Sequence, residues 1–308
     1  MTLQRRGFLL VVTVAAAAAT PAFGQAAPTA ASADSSKESA ASIPDFSGIW
    51  RHGSLPWFEP PESGPAPVTN RSRKNGVSNY DQLVGDYSNP ILKPWAAEVV
   101  KKYGEISLAG MTFPSPSNQC WPEPVPYIFK HGAMQMLQQP DKITILYNED
   151  HEIRWIRMNE PHPAQVRPSW HGDSVGHYEG ATLVIDTVGV KTDRPFAMID
   201  LFGTPNTKAL HVVDRYSLLD YEAAKGALER GDKELMRNQG PLNLNYAGNY
   251  LQIHLTVEDE GAFTTPWTAT ITYALDPAEW REVVCAENRH EYYSNKDSEV
   301  PTADKPDF

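Results

Sequence analysis

His171, Asp173, His177 and Asp186 lie close together in the chain, and their side-chain types suit acid–base work. An imidazole titrates near neutrality and serves as base or acid once a carboxylate orients it. His nitrogen and Asp oxygen also suit zinc or iron, so a divalent metal is a second use of the same four groups. The spacing reads as a hairpin: strand 174–178, a Glu179-Gly180 bend, and strand 181–188. With Glu179 and Gly180 as the central turn residues, Tyr178 faces Ala181, His177 faces Thr182, Val175 faces Val184 and Asp173 faces Asp186. Alternation then gathers Asp173, Val175, His177, Thr182, Val184 and Asp186 on one face, joined by His171 if the strand extends further. Tyr178, Leu183 and Ile185 occupy the opposite face, against the core. Carboxylates directly across a ladder repel unless one is protonated or a cation lies between them. Two readings stay open: a reactive wall of an enclosed chamber, or a solvated face whose Asp and His pair with Lys or Arg.

Further candidates are for substrate binding. His211, Arg215 and Ser217 share one face of a strand at 211–218, and Asp214 points the other way. Arg215 could hold an anionic or carbonyl group bidentately, or pair with the acid of a neighbouring strand. His254 lies opposite the aliphatic row Leu251, Ile253, Leu255 and Val257, facing solvent or a lumen. His162, between Pro161 and Pro163, belongs to a loop. Trp155, Trp170 and Trp267 read as core or rim packing, with ligand stacking by Trp170 as the alternative. The chain holds no Gly-rich phosphate loop and no His-Glu-x-x-His. Gly172-Asp173-Ser174-Val175-Gly176 has the letters of a nucleophile elbow, but a strand follows it instead of the required helix, which argues against a serine hydrolase.

The elements that must position these groups are mostly strands. Period-two alternation runs through 142–147, 152–158, 211–218, 250–258 and 265–275, with turn residues between. Short-spaced hairpins of this kind make an antiparallel meander closing into a barrel. Helix is expected at 221–237, capped by Asp220, and at 94–103, with Pro94 first and Lys101-Lys102 in the last turn. Between Leu55 and Pro126 the chain is otherwise proline-rich and aperiodic. Such a long irregular arm either lies over a functional mouth or wraps the outside.

The 308 residues carry a net charge of −11 without Lys/Arg clusters, which argues against nucleic acid as a partner. Past the N-terminus no apolar run is long enough to span a membrane. Arg5-Arg6-Gly7-Phe8-Leu9-Leu10, an apolar stretch and Ala22-Phe23-Gly24 read as an export signal over 1–24 of twin-arginine type, implying a periplasmic or secreted protein. Residues 25–43, rich in Ala and Ser, read as a disordered linker, and 44–308 as a single β-rich domain. In an oxidising compartment Cys120 and Cys285 are expected to pair, the alternative being two buried thiols.

Asp45-Phe46-Ser47-Gly48-Ile49-Trp50-Arg51 resembles the Gly-x-Trp opening strand of lipocalins and related calycin barrels. That resemblance implies that Trp50 closes one end of a barrel with Arg51 packed on it. Pro168-Ser169-Trp170-His171-Gly172-Asp173-Ser174-Val175-Gly176-His177-Tyr178-Glu179-Gly180 and the run Thr182 to Gly189 resemble the core of a family of exported bacterial proteins. So do Ala209 to Arg215 and Phe263 to Thr268. This second resemblance covers the chain from Asp45 to about Tyr293 and implies export and a β-rich fold, without an activity. The expectation is an exported enzyme using His/Asp acid–base chemistry on a small organic molecule, of lyase, isomerase or hydratase type. The alternatives are a non-catalytic small-ligand binder of calycin type and a metal-dependent hydrolase.

Overall fold

A computed structural model describes residues 43–52, 58–130, 132–148, 150–193, 197–233, 248–276, 280 and 283–285. The expected signal, and all of the expected linker but Ile43, lie outside them. Nine strands close a barrel: β1 (Gly48–Arg51), β4 (Ala133–Gln138), β5 (Lys142–Tyr147), β6 (Ile153–Met158), β7 (Asp173–Glu179), β8 (Thr182–Val188), β9 (His211–Leu219), β10 (Tyr250–Glu258) and β11 (Trp267–Leu275). Around the barrel the order is β1-β11-β10-β9-β8-β7-β6-β5-β4, and β4 closes back on β1. A small hairpin, β2 (Arg73–Lys74) with β3 (Val77–Ser78), stands apart. Among the described residues the protein is mainly β, with a calycin-like closed barrel, two short α-helices and an irregular N-terminal arm.

Alternation builds the barrel as the sequence leads one to expect. On β10, Leu251, Ile253, Leu255 and Val257 are fully buried, and His254 is exposed on the other side. Each such aliphatic side chain contributes about 1.5–3 kcal/mol by leaving water. Trp50 is buried and donates its indole N–H to the Phe46 carbonyl at 2.8 Å, while Arg51 pairs with Asp276.

One junction breaks the meander. β6 and β7 run parallel, paired only through Ile156–Ser174, Arg157–Val175 and Met158–Gly176. Parallel neighbours cannot be joined by a tight turn, so residues 159–172 cross over between them.

The β7–β8 hairpin corrects the expected register. Glu179 pairs with Thr182, Val175 with Asp186 and Asp173 with Val188, so the bend is centred on Gly180-Ala181, one residue later than expected. Gly180 has φ +60°, and a two-residue turn of II′ type needs glycine at its first central position. Each strand keeps its parity, so Asp173, His177 and Asp186 still share a face, but the two carboxylates no longer oppose each other across the ladder. That face is the outside of the barrel, not the wall of a chamber. Leu183 and Ile185 are fully buried on the inner side together with Ser174 and Thr187, and burial of that row decides which way the hairpin turns.

Helix α1 (Pro94–Leu108) begins where expected and runs one turn further, leaving Lys101 and Lys102 inside it. Helix α2 (Tyr221–Lys233) is capped by Asp220, whose Oδ1 accepts the Ala223 N–H at 2.9 Å. The arm is tied to the barrel by pairing of Glu59 with Thr270 and of Leu92 with Phe263. Cys120 and Cys285 form a disulfide, with Cα atoms 5.4 Å apart across 165 positions of sequence. Among the described residues no helix is long and apolar enough to cross a membrane.

Candidate functional site

The expected site residues divide between two places. Most lie on the outer wall. His177 is exposed there and meets Glu179, Nε2 to Oε1 at 3.1 Å. Arg215 donates to Glu179 Oε2 at 2.7 Å, the acid-pairing alternative, and neighbouring His254 faces solvent. Asp173 accepts two bonds from Arg157 (2.8 and 3.0 Å) and contacts His162 Nδ1 at 2.7 Å. Asp186 Oδ1 meets His162 Nε2 and His211 Nε2, each at 3.0 Å. The bonds from Arg157 hold the Asp173 carboxyl below its ordinary range. Partial burial works against ionisation of Asp186, but the bonds from His211 and His162 outweigh it and lower its pKa too. Among the described residues no group of three or more His, Cys, Asp or Glu side chains is arranged to hold a metal ion.

His171 and Trp170 line a cleft of about 470 Å³ where β6 and β7 part company, and Arg157 and Asp173 of the outer wall line its edge as well. The cause is local. Gly172 has φ +73°, and a Cβ there would stand 2.6 Å from the Val188 carbonyl oxygen, so glycine alone allows the chain to bend away at that point. Beyond the ladder pair Ile156–Ser174 the two chains diverge, and Glu152, Arg154 and Ser174 line the gap while staying largely buried. Trp155, 71% exposed, and Trp170 stand at the rim. The N-terminal arm reaches the same mouth: Pro122 lines it, and Trp121 packs against Trp170 with ring centres 6.5 Å apart. A smaller cavity of about 40 Å³ beneath the arm, between Phe58, Tyr127 and Phe202, has room for little more than water.

Below the cleft the barrel interior is polar at one level. Arg154 donates to both oxygens of Asp214 (2.8 and 3.2 Å), to Ser174 Oγ (3.1 Å) and to Thr187 Oγ1 (2.6 Å), and Tyr216 donates to Asp214 at 3.0 Å. Both charges are buried, a pair stable only because its polar atoms are met by hydrogen bonds. Beside it Tyr147 is buried, and desolvation pushes its phenol up to about 12.

Above that pair sits a carboxyl–imidazole pair. His171 Nε2 lies 2.7 Å from Glu152 Oε2, both side chains largely buried. Glu152 also accepts the Glu123 N–H at 2.9 and 3.0 Å, and Glu123 is itself paired with Lys130 and Ser117. A contact this short fits either carboxylate with imidazolium or carboxylic acid with neutral imidazole. Burial decides between them: it raises Glu152 to about 8 and, with the nearby charge of Arg154, lowers His171 to about 4. In the neutral arrangement that burial favours, the Glu152 O–H donates to Nε2 and the ring's own proton sits on Nδ1. That atom is buried and has no hydrogen-bond partner among the described residues. The groups most able to move a proton are thus His171 and Glu152, with Arg154 setting the field around them.

Sequence reasoning places His171 among the candidates but misses Glu152 and Arg154. A signal for Arg154 is present. It shares the inward row of β6 with Ile156 and Met158, as Asp214 shares that of β9 with Val212 and Tyr216, and opposite charges on two inward rows imply a buried pair. No family model matches the chain, and comparison with curated proteins and with solved structures gives no match either.

Proposed function

We propose that the protein is an acid–base enzyme acting on a small organic molecule bound in the β6–β7 cleft, with chemistry of lyase, isomerase or hydratase type. The observation that carries this reading is the Glu152–His171 pair, 2.7 Å apart and largely buried beside the cleft, with the imidazole Nδ1 without a hydrogen-bond partner among the described residues. Environments that push two titratable groups apart are how proteins assign acid and base roles. In the forward direction the pair gives one proton to the substrate and is left as a carboxylate beside a neutral imidazole. The reverse sequence returns the pair to its starting state. Trp155 and Trp170 supply flat apolar surface at the rim, and nearby Arg154 favours build-up of negative charge on the reacting molecule.

The calycin-type alternative, a ligand held inside the barrel, has less support. Arg154, Tyr147, Tyr216 and Tyr273, all essentially buried, occupy that interior.

The test is solvent exchange. A panel of small carbonyl and hydroxy-acid compounds is incubated with the protein in D2O, and loss of C–H signal is followed by proton NMR. Wild type and His177→Ala are expected to exchange a common compound, and His171→Gln and Glu152→Gln to lose that exchange by roughly 100-fold or more, on the order of one general acid–base group. Exchange that survives His171→Gln overturns the assignment.

A further inference from the structure

The cleft carboxyl is held from two sides by segments distant from it in sequence. On one side lies the turn between β5 and β6. There Asp150, two residues before Glu152, donates its N–H to the Val283 carbonyl (2.8 Å), and its Oδ1 accepts the Cys285 N–H (2.7 Å). On the other side lies the arm, where Glu123 sets its N–H on both Glu152 oxygens (2.9 and 3.0 Å) three residues after Cys120. Trp121 and Pro122, between Cys120 and Glu123, stand at the cleft mouth. The Cys120–Cys285 bond joins the two sides. It closes a ring of contacts that runs from Glu152 through Asp150, Cys285, Cys120 and Glu123 and back to Glu152.

Two members of the ring carry backbone strain. Cys120 has φ +52° and Asp150 φ +50°, the left-handed region that a residue with a side chain keeps only when its surroundings hold it there. The two bonds to Val283 and Cys285 hold Asp150. The disulfide is one of the restraints on Cys120, which ends the single turn Ser117–Gln119. Without that bond, relaxation of the Cys120 backbone turns the chain that follows it, which is Trp121, Pro122 and Glu123. Both cysteines are only partly buried, so a small dithiol can reach the bond.

We propose that the Cys120–Cys285 disulfide is a redox switch for the cleft: formed, it seats the Glu123 N–H on Glu152, and its reduction frees residues 120–123 from the β5–β6 turn and opens the site. The reductant is a dithiol. Its thiolate attacks one sulfur, its second thiol displaces the resulting mixed disulfide, and two electrons and two protons pass to the protein. The protein is left with two thiols and the dithiol as a disulfide. The loss of turnover on opening rests on the acid–base reading of the cleft; the seating of Glu123 does not.

The experiment compares the oxidised protein with protein reduced by dithiothreitol and with the double variant Cys120→Ser, Cys285→Ser. Amide hydrogen exchange and the Glu152 carboxyl carbon are followed by NMR, and circular dichroism reports the barrel. In the reduced protein and the variant, the Glu123 amide should exchange within about tenfold of its intrinsic rate while β10 amides stay protected about 100-fold or more, because the site opens without unfolding the barrel. The groups facing Glu152 are His171, Glu123, Asp150 and Lys130, and burial is the largest influence on it. Opening the arm removes part of that burial, so the Glu152 titration should move from about 8 toward its ordinary 4.5, and reoxidation should restore it. Three results overturn the switch: Glu123 as protected as β10 after reduction, Glu152 titrating at one pH in both forms, or a barrel lost on reduction. Because these readouts need no substrate, a site that opens while no compound exchanges a proton leaves the switch standing and removes the proposed activity. Proton exchange that continues undiminished with the site open overturns the switch and leaves the acid–base reading in place.

Discussion

Replacing Glu152 by Gln gives the sharpest check on the protonation state of the site. Gln keeps the shape, can still accept the Glu123 N–H and can donate to His171 Nε2, but it never ionises. Glu152 has an ordinary value of 4.5 and is raised by burial to about 8 in the folded protein. Folding therefore favours its protonated form, and that stabilisation is complete below pH 4.5 and lost as pH rises toward about 8. Over that interval the unfolded chain releases a proton that the folded chain keeps, at about 1.36 kcal/mol per pH unit. From about pH 5 to pH 7.5 wild type should thus lose about 3 kcal/mol relative to Glu152→Gln, with a ceiling of about 5 kcal/mol above about pH 8. His171 titrates in both proteins and cancels to first order. The assay is urea unfolding followed by tryptophan fluorescence at fixed ionic strength, disulfide intact, at intervals across the same pH range. A flat difference, or wild type gaining on the variant as pH rises, refutes the reasoning: it means that Glu152 is ionised and paired with an imidazolium.

Two further outcomes follow from the barrel. Arg154→Met strands the buried Asp214 carboxylate and should cost about 3–5 kcal/mol in chemical denaturation, whereas Arg154→Met with Asp214→Leu should recover most of that loss; equal losses refute the pairing argument. Replacing Cys120 and Cys285 by serine frees a loop closed across 165 positions and should lower unfolding free energy by about 5 kcal/mol by the chain-entropy relation, read from urea unfolding with midpoint and slope both fitted. A loss below about 1 kcal/mol means that the two segments are held together without the bond.

Much of the architecture is legible in the residues. The rows Leu251-Ile253-Leu255-Val257 and Ile143-Ile145-Tyr147 announce β10 and β5, since alternate side chains of a half-buried strand must differ in polarity. Asp220 ahead of an Ala- and Glu-rich stretch announces the start of α2. The hairpin register differs from expectation by one residue because Glu-Gly and Gly-Ala both make plausible bends, and only the positive φ of Gly180 separates them. The parallel β6–β7 junction carries no such local mark. Its two strands alternate as antiparallel strands do, and the crossover between them looks like any proline-rich loop.

Local pattern determined which side chains share a face of each strand, because alternation is a property of the backbone alone. It therefore grouped Asp173, His177 and Asp186 correctly and set Asp214 opposite Arg215. Closure of the barrel decided which of the two faces met water. That choice depends on the total apolar surface buried by nine strands together, not on any one hairpin. It sent the expected wall outward, carried Arg154 and Asp214 from distant strands to the centre, and left His171 at the gap where two parallel strands separate. The pairing of His171 with Glu152, and the shared proton that follows from it, exists only in three dimensions, because desolvation is a property of the surroundings that a strand acquires on folding.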